Sequence, residues 1–261
     1  MDIVPGGVAA KYLRAQEFLD QIRDIVLAWG EATTYETISE PDSARSELVH
    51  CQKYIAKISG PPLPDLSIVL GDCLNNFRAT LDHLIWHASV LHSGDPPPDP
   101  RRIGFPIFAD ADVYKGQGLH AVSPQVAATV EELQPYRRAD PGSHPLWILS
   151  ELNNVDKHRS IHFVSHFART PRLVLESSTP GSWSETMDDG PLEDGTVLAR
   201  LFTPLSLIDN DVKANVVVEH GPAISATQTT PILHLGSTLD AIGRGVWDAA
   251  GKLTRVLANG P

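Results

Sequence analysis

The chain has 261 residues, of which 42% are hydrophobic and 20% are charged, and its formal net charge is −11. This length and apolar content are enough for one large domain with a buried core, and they exclude a disordered chain. The excess of acidic residues argues against a broad basic face for duplex DNA or a membrane surface, but it leaves room for a local basic pocket. Two cysteines cannot form a disulfide framework or a cysteine zinc site.

The first residues, MDIVPGGVAAKYLRAQ, lack the basic start and the apolar run of a signal peptide. The sequence also contains no stretch of about 20 apolar residues, so we expect no membrane-spanning helix. We therefore expect a cytoplasmic protein.

Four long segments repeat their apolar residues with the spacing of an amphipathic helix. In the last of them the spacing is about 3.5 residues, which is typical of bundle helices. We expect the first, second and last helices to pack together. The predicted helices cover Val8–Trp29, Leu66–Leu91, Pro145–Ile161 and Ile232–Leu257, with a shorter helix at Pro124–Leu133.

Segments rich in β-branched and aromatic residues predict strands, most of them after Ile161. Two of these segments, 196–207 and 212–220, flank Asp209-Asn210-Asp211 and predict a hairpin. An earlier pair, 33–39 and 46–57, predicts another hairpin.

Helices and strands do not alternate as β-α-β, which disfavours a doubly wound parallel sheet. We predict an α+β fold with a helical core of about four main helices and an antiparallel sheet mainly in the C-terminal half. We expect a single domain over 1–261, in which the helical part covers about 1–161 and 232–261 and a β-rich insertion covers about 162–220.

The second and third predicted helices each carry a polar stripe beside the apolar one. On the second helix the stripe consists of Asp72, Asn76, Thr80, His83 and His87, and on the third of Glu151, Asn154, His158 and His162. Two such stripes can build a polar site between the helices. A structural interpretation is also available, because Arg78 and Asp82 are four residues apart and can form an ordinary helix-surface ion pair.

One interpretation of the stripes is a metal site. The pair His83 and His87, or the pair His158 and His162, can chelate one ion, with oxygen supplied by Asp72, Asp82 or Glu151. Both pairs lack the Glu of the zinc-protease HExxH motif, since the sequences are HLIWH and HRSIH, so we do not expect a metalloprotease. We favour a protein without a metal or a cofactor.

A second interpretation is metal-independent cleavage of RNA. The run Arg78-Ala-Thr-Leu-Asp-His83 resembles the R-x4-H motif of the HEPN nucleases, which would make Arg78 and His83 the catalytic pair. Histidine can move the 2′-hydroxyl proton near neutral pH, and arginine can stabilise the charged phosphate. Single-stranded RNA would then be the partner, and a homodimer would bring together Arg78 from two subunits.

Four blocks resemble an uncharacterised bacterial family that is largely actinobacterial. The blocks are GDxLxNxRxxLDH (Gly71–His83), FPIF (Phe105–Phe108), LQPY (Leu133–Tyr136) and LNxxDKHR (Leu152–Arg159). The resemblance implies that the polar residues of the first and last blocks belong to one set of motifs, namely Asp72, Asn76, Arg78, Asp82, His83, Asp156, Lys157, His158 and Arg159.

A third interpretation is a binding site for a small anion. Lys157, His158 and Arg159 can hold a phosphate or carboxylate together with Arg78 and His83, and we count Asp72, Asn76 and Asp82 among the binding residues. At the C-terminus of a helix the three basic residues would also complement the helix dipole. The sequence leaves open whether the protein is a HEPN-like ribonuclease, a metal-binding protein or a non-enzymatic protein that binds a small anion.

Overall fold

The structure is a computed structural model that describes residues 6–42, 49–114, 117–159, 161–175, 181–205, 214–225 and 232–258. The predicted turn at Asp209–Asp211 lies outside these ranges. Within them, none of the helices combines the length and the apolar character needed to span a membrane.

The helical predictions are confirmed for the main elements of the core. In the described ranges the helices are α1 (Gly6–Glu31), α2 (Ser67–Ser93), α3 (Ala111–Tyr114), α4 (Pro124–Glu132), α5 (Pro145–His158) and α6 (Leu235–Ala258). The apolar stripes of α1, α2, α5 and α6 meet in one core cluster, where Phe77 and Leu84 of α2 are fully buried. The three-to-four spacing therefore marks the faces that pack together.

Helix α5 ends before the predicted boundary at Ile161. Arg159 has extended backbone angles (φ −154°, ψ 171°), and its N–H donates to the carbonyl of Val155, which closes the last turn. His158 is therefore the last helical residue, whereas His162 begins a strand. The prediction that His158 and His162 align along one helix is wrong.

Eight strands occur in the described ranges, and all of their pairings are antiparallel. They are β1 (Thr34–Pro41), β2 (Val49–Ser59), β3 (His162–Leu175), β4 (Trp183–Thr186), β5 (Gly190–Pro191), β6 (Val197–Pro204), β7 (Ala214–Ser225) and β8 (Leu233–His234). One sheet has the order β1-β2-β6-β4 and the other β5-β3-β7-β8. The α+β class, with antiparallel sheets mostly in the C-terminal half, is confirmed.

Strands β6 and β7 were predicted to form a hairpin, and this prediction is wrong. Strand β6 pairs with β2 and β4, whereas β7 pairs with β3 and β8. Strand β2 of the predicted N-terminal hairpin occupies one edge of β6 and β4 occupies the other, so no edge of β6 is left for β7. Side chains from both sheets share a second core that includes Tyr54, Ala168, Leu198, Leu201 and Val216.

Candidate functional site

The segment Phe105-Pro-Ile-Phe108 is fixed against α2 at its first residue. The Arg78 guanidinium donates from Nη2 to the carbonyl of Phe105 at 2.6 Å, and the N–H of Phe105 donates to Asp82 Oδ1 at 2.9 Å. Phe105 is 1% exposed, so both of its backbone groups would otherwise be buried without a partner. The polar pair on α2 thus holds this segment in place.

Arg78 and Asp82 also bind each other in a two-pronged ion pair. Nε of Arg78 lies 3.1 Å from Asp82 Oδ2, and Nη2 lies 3.0 Å from Oδ1. The Arg78 side chain is 22% exposed and that of Asp82 is 36% exposed, so water screens the pair only partly. The charge of Arg78 is therefore balanced by its own helix neighbour.

Gln134 fixes the other end of the same segment. Its side chain donates from Nε2 to the carbonyl of Pro106 at 2.8 Å and to that of Val130 at 3.0 Å, and its Oε1 accepts from the N–H of Phe108 at 3.0 Å. Gln134 is only 1% exposed. Three of the blocks found in the sequence therefore meet at this segment.

The fourth block reaches the segment through a close approach between α5 and α2. A Cβ on Gly71 would lie 2.5 Å from Asp156 Oδ2, so only glycine lets the Asp156 carboxylate approach α2 this closely. Burial, and then the charge of Asp72, raises the pKa of the Asp156 carboxyl, while Lys157 acts in the opposite direction. The contact brings the last turn of α5, which carries Lys157, beside the segment.

An open cleft of about 390 Å³ lies over this segment, and we call it the Arg102 cleft. Its wall opposite α2 includes Gly118, whose φ of +81° and close approach to the Gly104 carbonyl require glycine. The polar side chains that line the cleft belong to Arg78, Asp82, Arg101, Arg102, Gln117, Ser150, Asn153, Asn154 and Lys157.

The Arg102 cleft is positively charged, although the chain as a whole carries −11. Arg101, Arg102 and Lys157 are exposed, and none of them forms an ion pair within the part of the chain that the structure describes. Among the described residues that line the cleft, Asp82 is the one carboxylate, and Arg78 balances it. The cleft therefore presents three cations that are not held in ion pairs within the described ranges.

Asn153 adds a polar group that is not satisfied by the protein. The residue is 2% exposed and lines the cleft, yet its Oδ1 has no hydrogen-bond partner among the described residues. A buried acceptor without a donor costs about 1–3 kcal/mol. A ligand or water that supplies an O–H or N–H group would remove this cost.

His83 and His87 lie in a neighbouring hollow of about 500 Å³, not in the Arg102 cleft. Trp86 lines the same hollow, and Asp82 and Ile103 border both depressions. Arg78 and His83 thus lie on two sides of Asp82.

Several residues grouped by the sequence serve other parts of the molecule. Asn76 is 8% exposed and faces α1, because its Oδ1 accepts from Lys11 Nζ at 3.3 Å and its Nδ2 donates to the carbonyl of Asp72 at 2.8 Å. His158 and Arg159 are exposed at the end of α5 and line neither depression.

The metal interpretation depends on three or more ligands converging. Within the described ranges, no group of three or more His, Cys, Asp or Glu side chains is arranged to hold a metal ion.

Arg101, Arg102 and Asn153 were missed as site residues by the sequence analysis. The two arginines follow a proline-rich stretch, SGDPPPDP, which reads as a solvent-exposed loop, and nothing local shows that this loop returns to α2. The available signal was the pair of adjacent arginines, which is separated from the FPIF block by two residues.

Comparisons of the chain with protein-family models, with curated proteins and with solved structures find no match. The positive charge, the burial and the hydrogen bonding of the Arg102 cleft are therefore the observations on which a function can be argued.

Proposed function

We propose that this protein binds a small anion, carrying phosphate or carboxylate groups, in the Arg102 cleft. The observation that carries this proposal is the convergence of Arg101, Arg102 and Lys157 on one cleft of an acidic chain without carboxylates to balance them. One guanidinium group can bind two oxygens of the same phosphate or carboxylate, and the ammonium group of a lysine adds a positive charge.

The floor of the cleft is suited to recognition because it is rigid. Arg78, Asp82 and Gln134 fix both ends of segment 105–108, so a ligand would meet a surface that needs little ordering. The volume lies within the range of small-molecule sites.

The proposal predicts that removing a cation from the cleft weakens anion binding. Isothermal titration calorimetry with pyrophosphate and with citrate, at low salt, separates phosphate from carboxylate recognition. Arg102→Ala and Lys157→Ala should each weaken binding of the preferred probe by about 10- to 100-fold, because each removes one charged hydrogen bond worth about 1.5–3 kcal/mol.

Arg172→Ala is the matched control, because Arg172 is an exposed arginine on β3 that lies outside the cleft. Its affinity for the probe should equal that of the wild type. Absence of binding for both probes, or equal losses in all three variants, would contradict a specific site in the Arg102 cleft.

Cleavage of single-stranded RNA by Arg78 and His83 stays a prediction. It is supported by the proximity of the two depressions at Asp82, and it is weakened because Asp82 and Phe105 already occupy the Arg78 guanidinium. Cleavage in the presence of EDTA that His83→Ala abolishes would establish it. For RNA cleavage, the Arg78 guanidinium would have to leave Asp82 and the carbonyl of Phe105. The anion-binding proposal leaves Arg78 in place.

A further inference from the structure

A second basic depression runs along α6, and we call it the α6 groove. Its charged side chains belong to Arg138, Arg244, Asp248, Lys252 and Arg255, and its volume is about 500 Å³. The four cations are exposed, and none of them forms an ion pair in the part of the chain that the structure describes. The groove shares no lining residue with the Arg102 cleft.

The cations in the α6 groove are spread out and do not converge on one point. Arg244 and Arg255 are eleven positions apart on α6, which separates them by ~16 Å along the helix axis. Arg138 approaches from the opposite wall. A single phosphate cannot reach all of these groups, whereas a chain of phosphates can.

Trp247 gives the α6 groove an exposed aromatic surface. The residue is 56% exposed, and its ring contacts Tyr12 with 5.0 Å between ring centroids, which restricts the indole on that side. Exposed aromatic rings beside cations bind successive bases of single strands by stacking.

Gly251 is a helix-interior glycine that no packing contact explains. It is exposed on α6, lines the groove, and a Cβ at this position would meet nothing within 4 Å. Glycine in the middle of a helix is unfavourable compared with alanine. The open wall at Gly251 leaves space for close approach by a ligand backbone.

We propose that the α6 groove binds single-stranded nucleic acid, with phosphates held by Arg138, Arg244, Lys252 and Arg255 and a base stacked on Trp247. The exposed indole favours nucleic acid over an acidic polypeptide, which has no bases to stack. The overall charge of −11 disfavours a duplex, because the chain as a whole repels a dense array of phosphates.

The test is fluorescence anisotropy with a labelled oligouridylate at low salt. The double variant Arg244→Ala/Arg255→Ala should bind at least about tenfold more weakly than the wild type, because two phosphate contacts are lost. It should also reduce the slope of log K against log salt by ~1.4, since each single-strand phosphate contact contributes about 0.7. The control is the double variant Arg14→Ala/Arg172→Ala, which changes the net charge by the same amount at positions away from the groove. It should bind oligouridylate like the wild type.

Gly251→Ala gives a second and independent readout. The added methyl should raise the melting temperature by about 2–4 °C, because alanine favours the helix, and it should weaken oligouridylate binding several-fold. Oligouridylate should also quench the tryptophan fluorescence of the wild type more than that of Trp247→Phe. Three results would each overturn the proposal. The first is a stabilised Gly251→Ala protein with wild-type affinity, and the second is equal affinity in the two double variants. The third is polyglutamate that binds as tightly as oligouridylate.

Discussion

Gln134 is the side chain on which the floor of the Arg102 cleft most depends. Its three hydrogen bonds satisfy two buried backbone groups of segment 105–108 and one carbonyl of α4. Gln134→Ala should therefore lower the free energy of unfolding by about 3 kcal/mol, because the N–H of Phe108 and the carbonyl of Pro106 lose their partner in a buried site. Urea denaturation followed by circular dichroism measures this loss.

The matched control at this scale is Gln125→Ala, which removes an exposed glutamine from the first turn of α4. This variant should stay within about 0.5 kcal/mol of the wild type, as surface substitutions usually do. Similar stabilities of the two variants would show that the hydrogen bonds of Gln134 do not hold the segment.

At the scale of the element, α5 begins with a histidine in the role of an N-cap. His144 is 9% exposed, and its Nδ1 accepts from the N–H of Leu146 at 3.1 Å, which requires a neutral ring. Burial, and then the charge of Arg138, lowers the pKa of His144 to about 4. The native state therefore favours the neutral ring, whereas the unfolded chain takes up a proton near the ordinary pKa of 6.5.

This cap makes stability depend on pH in a defined direction. Its contribution is fully present above pH 6.5 and is lost as the pH falls toward 4, by about 3 kcal/mol over the whole window. His144→Asn supplies an acceptor that does not titrate, so its free energy of unfolding should fall less on acidification than that of the wild type. Urea titrations between these pH values measure the difference, and His92→Asn, at an exposed position of α2, should follow the wild-type curve.

At the scale of the whole molecule, helices and sheets are joined by a cluster of four rings, in which two stacked pairs meet edge to face. Trp29 of α1 stacks on His166 of β3 with 4.8 Å between ring centroids, and Tyr35 of β1 stacks on His220 of β7 at 3.6 Å. The hydroxyl of Tyr35 also hydrogen-bonds to His166 Nδ1, so the ring cluster links both sheets to the helical core.

This junction shows which parts of the structure were predictable from the sequence. The helices and the hairpin β1–β2 follow from local periodicity, as do buried residues such as Phe77 and Leu84. Other contacts join residues that are far apart in the sequence. Examples are the pairing of β2 with β6, the contact of Tyr35 with His166, and the approach of Arg102 to α2. No local pattern encodes such contacts, so the sequence analysis named Arg78, Asp82 and Lys157 but did not name Arg101, Arg102 or Asn153. That the chain forms one domain stays a prediction.

The junction should respond to pH through the hydrogen bond between Tyr35 and His166. Burial raises the pKa of Tyr35 to about 12, so its hydroxyl remains a donor, while burial and then the nearby His220 lower the pKa of His166 below 6.5. Neutral His166 therefore contributes stability that is present above pH 6.5 and is lost as the ring becomes protonated at lower pH. Tyr35→Phe should reduce the free energy of unfolding by about 1 kcal/mol at neutral pH, and the difference from the wild type should change on acidification, because protonated Nδ1 can no longer accept and instead donates to the hydroxyl oxygen of Tyr35. Tyr54→Phe removes a hydroxyl from the core between the sheets, and the resulting change should not vary with pH, since burial alone shifts the pKa of Tyr54 and no histidine contributes to it. Urea denaturation of both variants across the pH range measures this, and an equal pH dependence for the two variants would show that His166 does not accept from Tyr35.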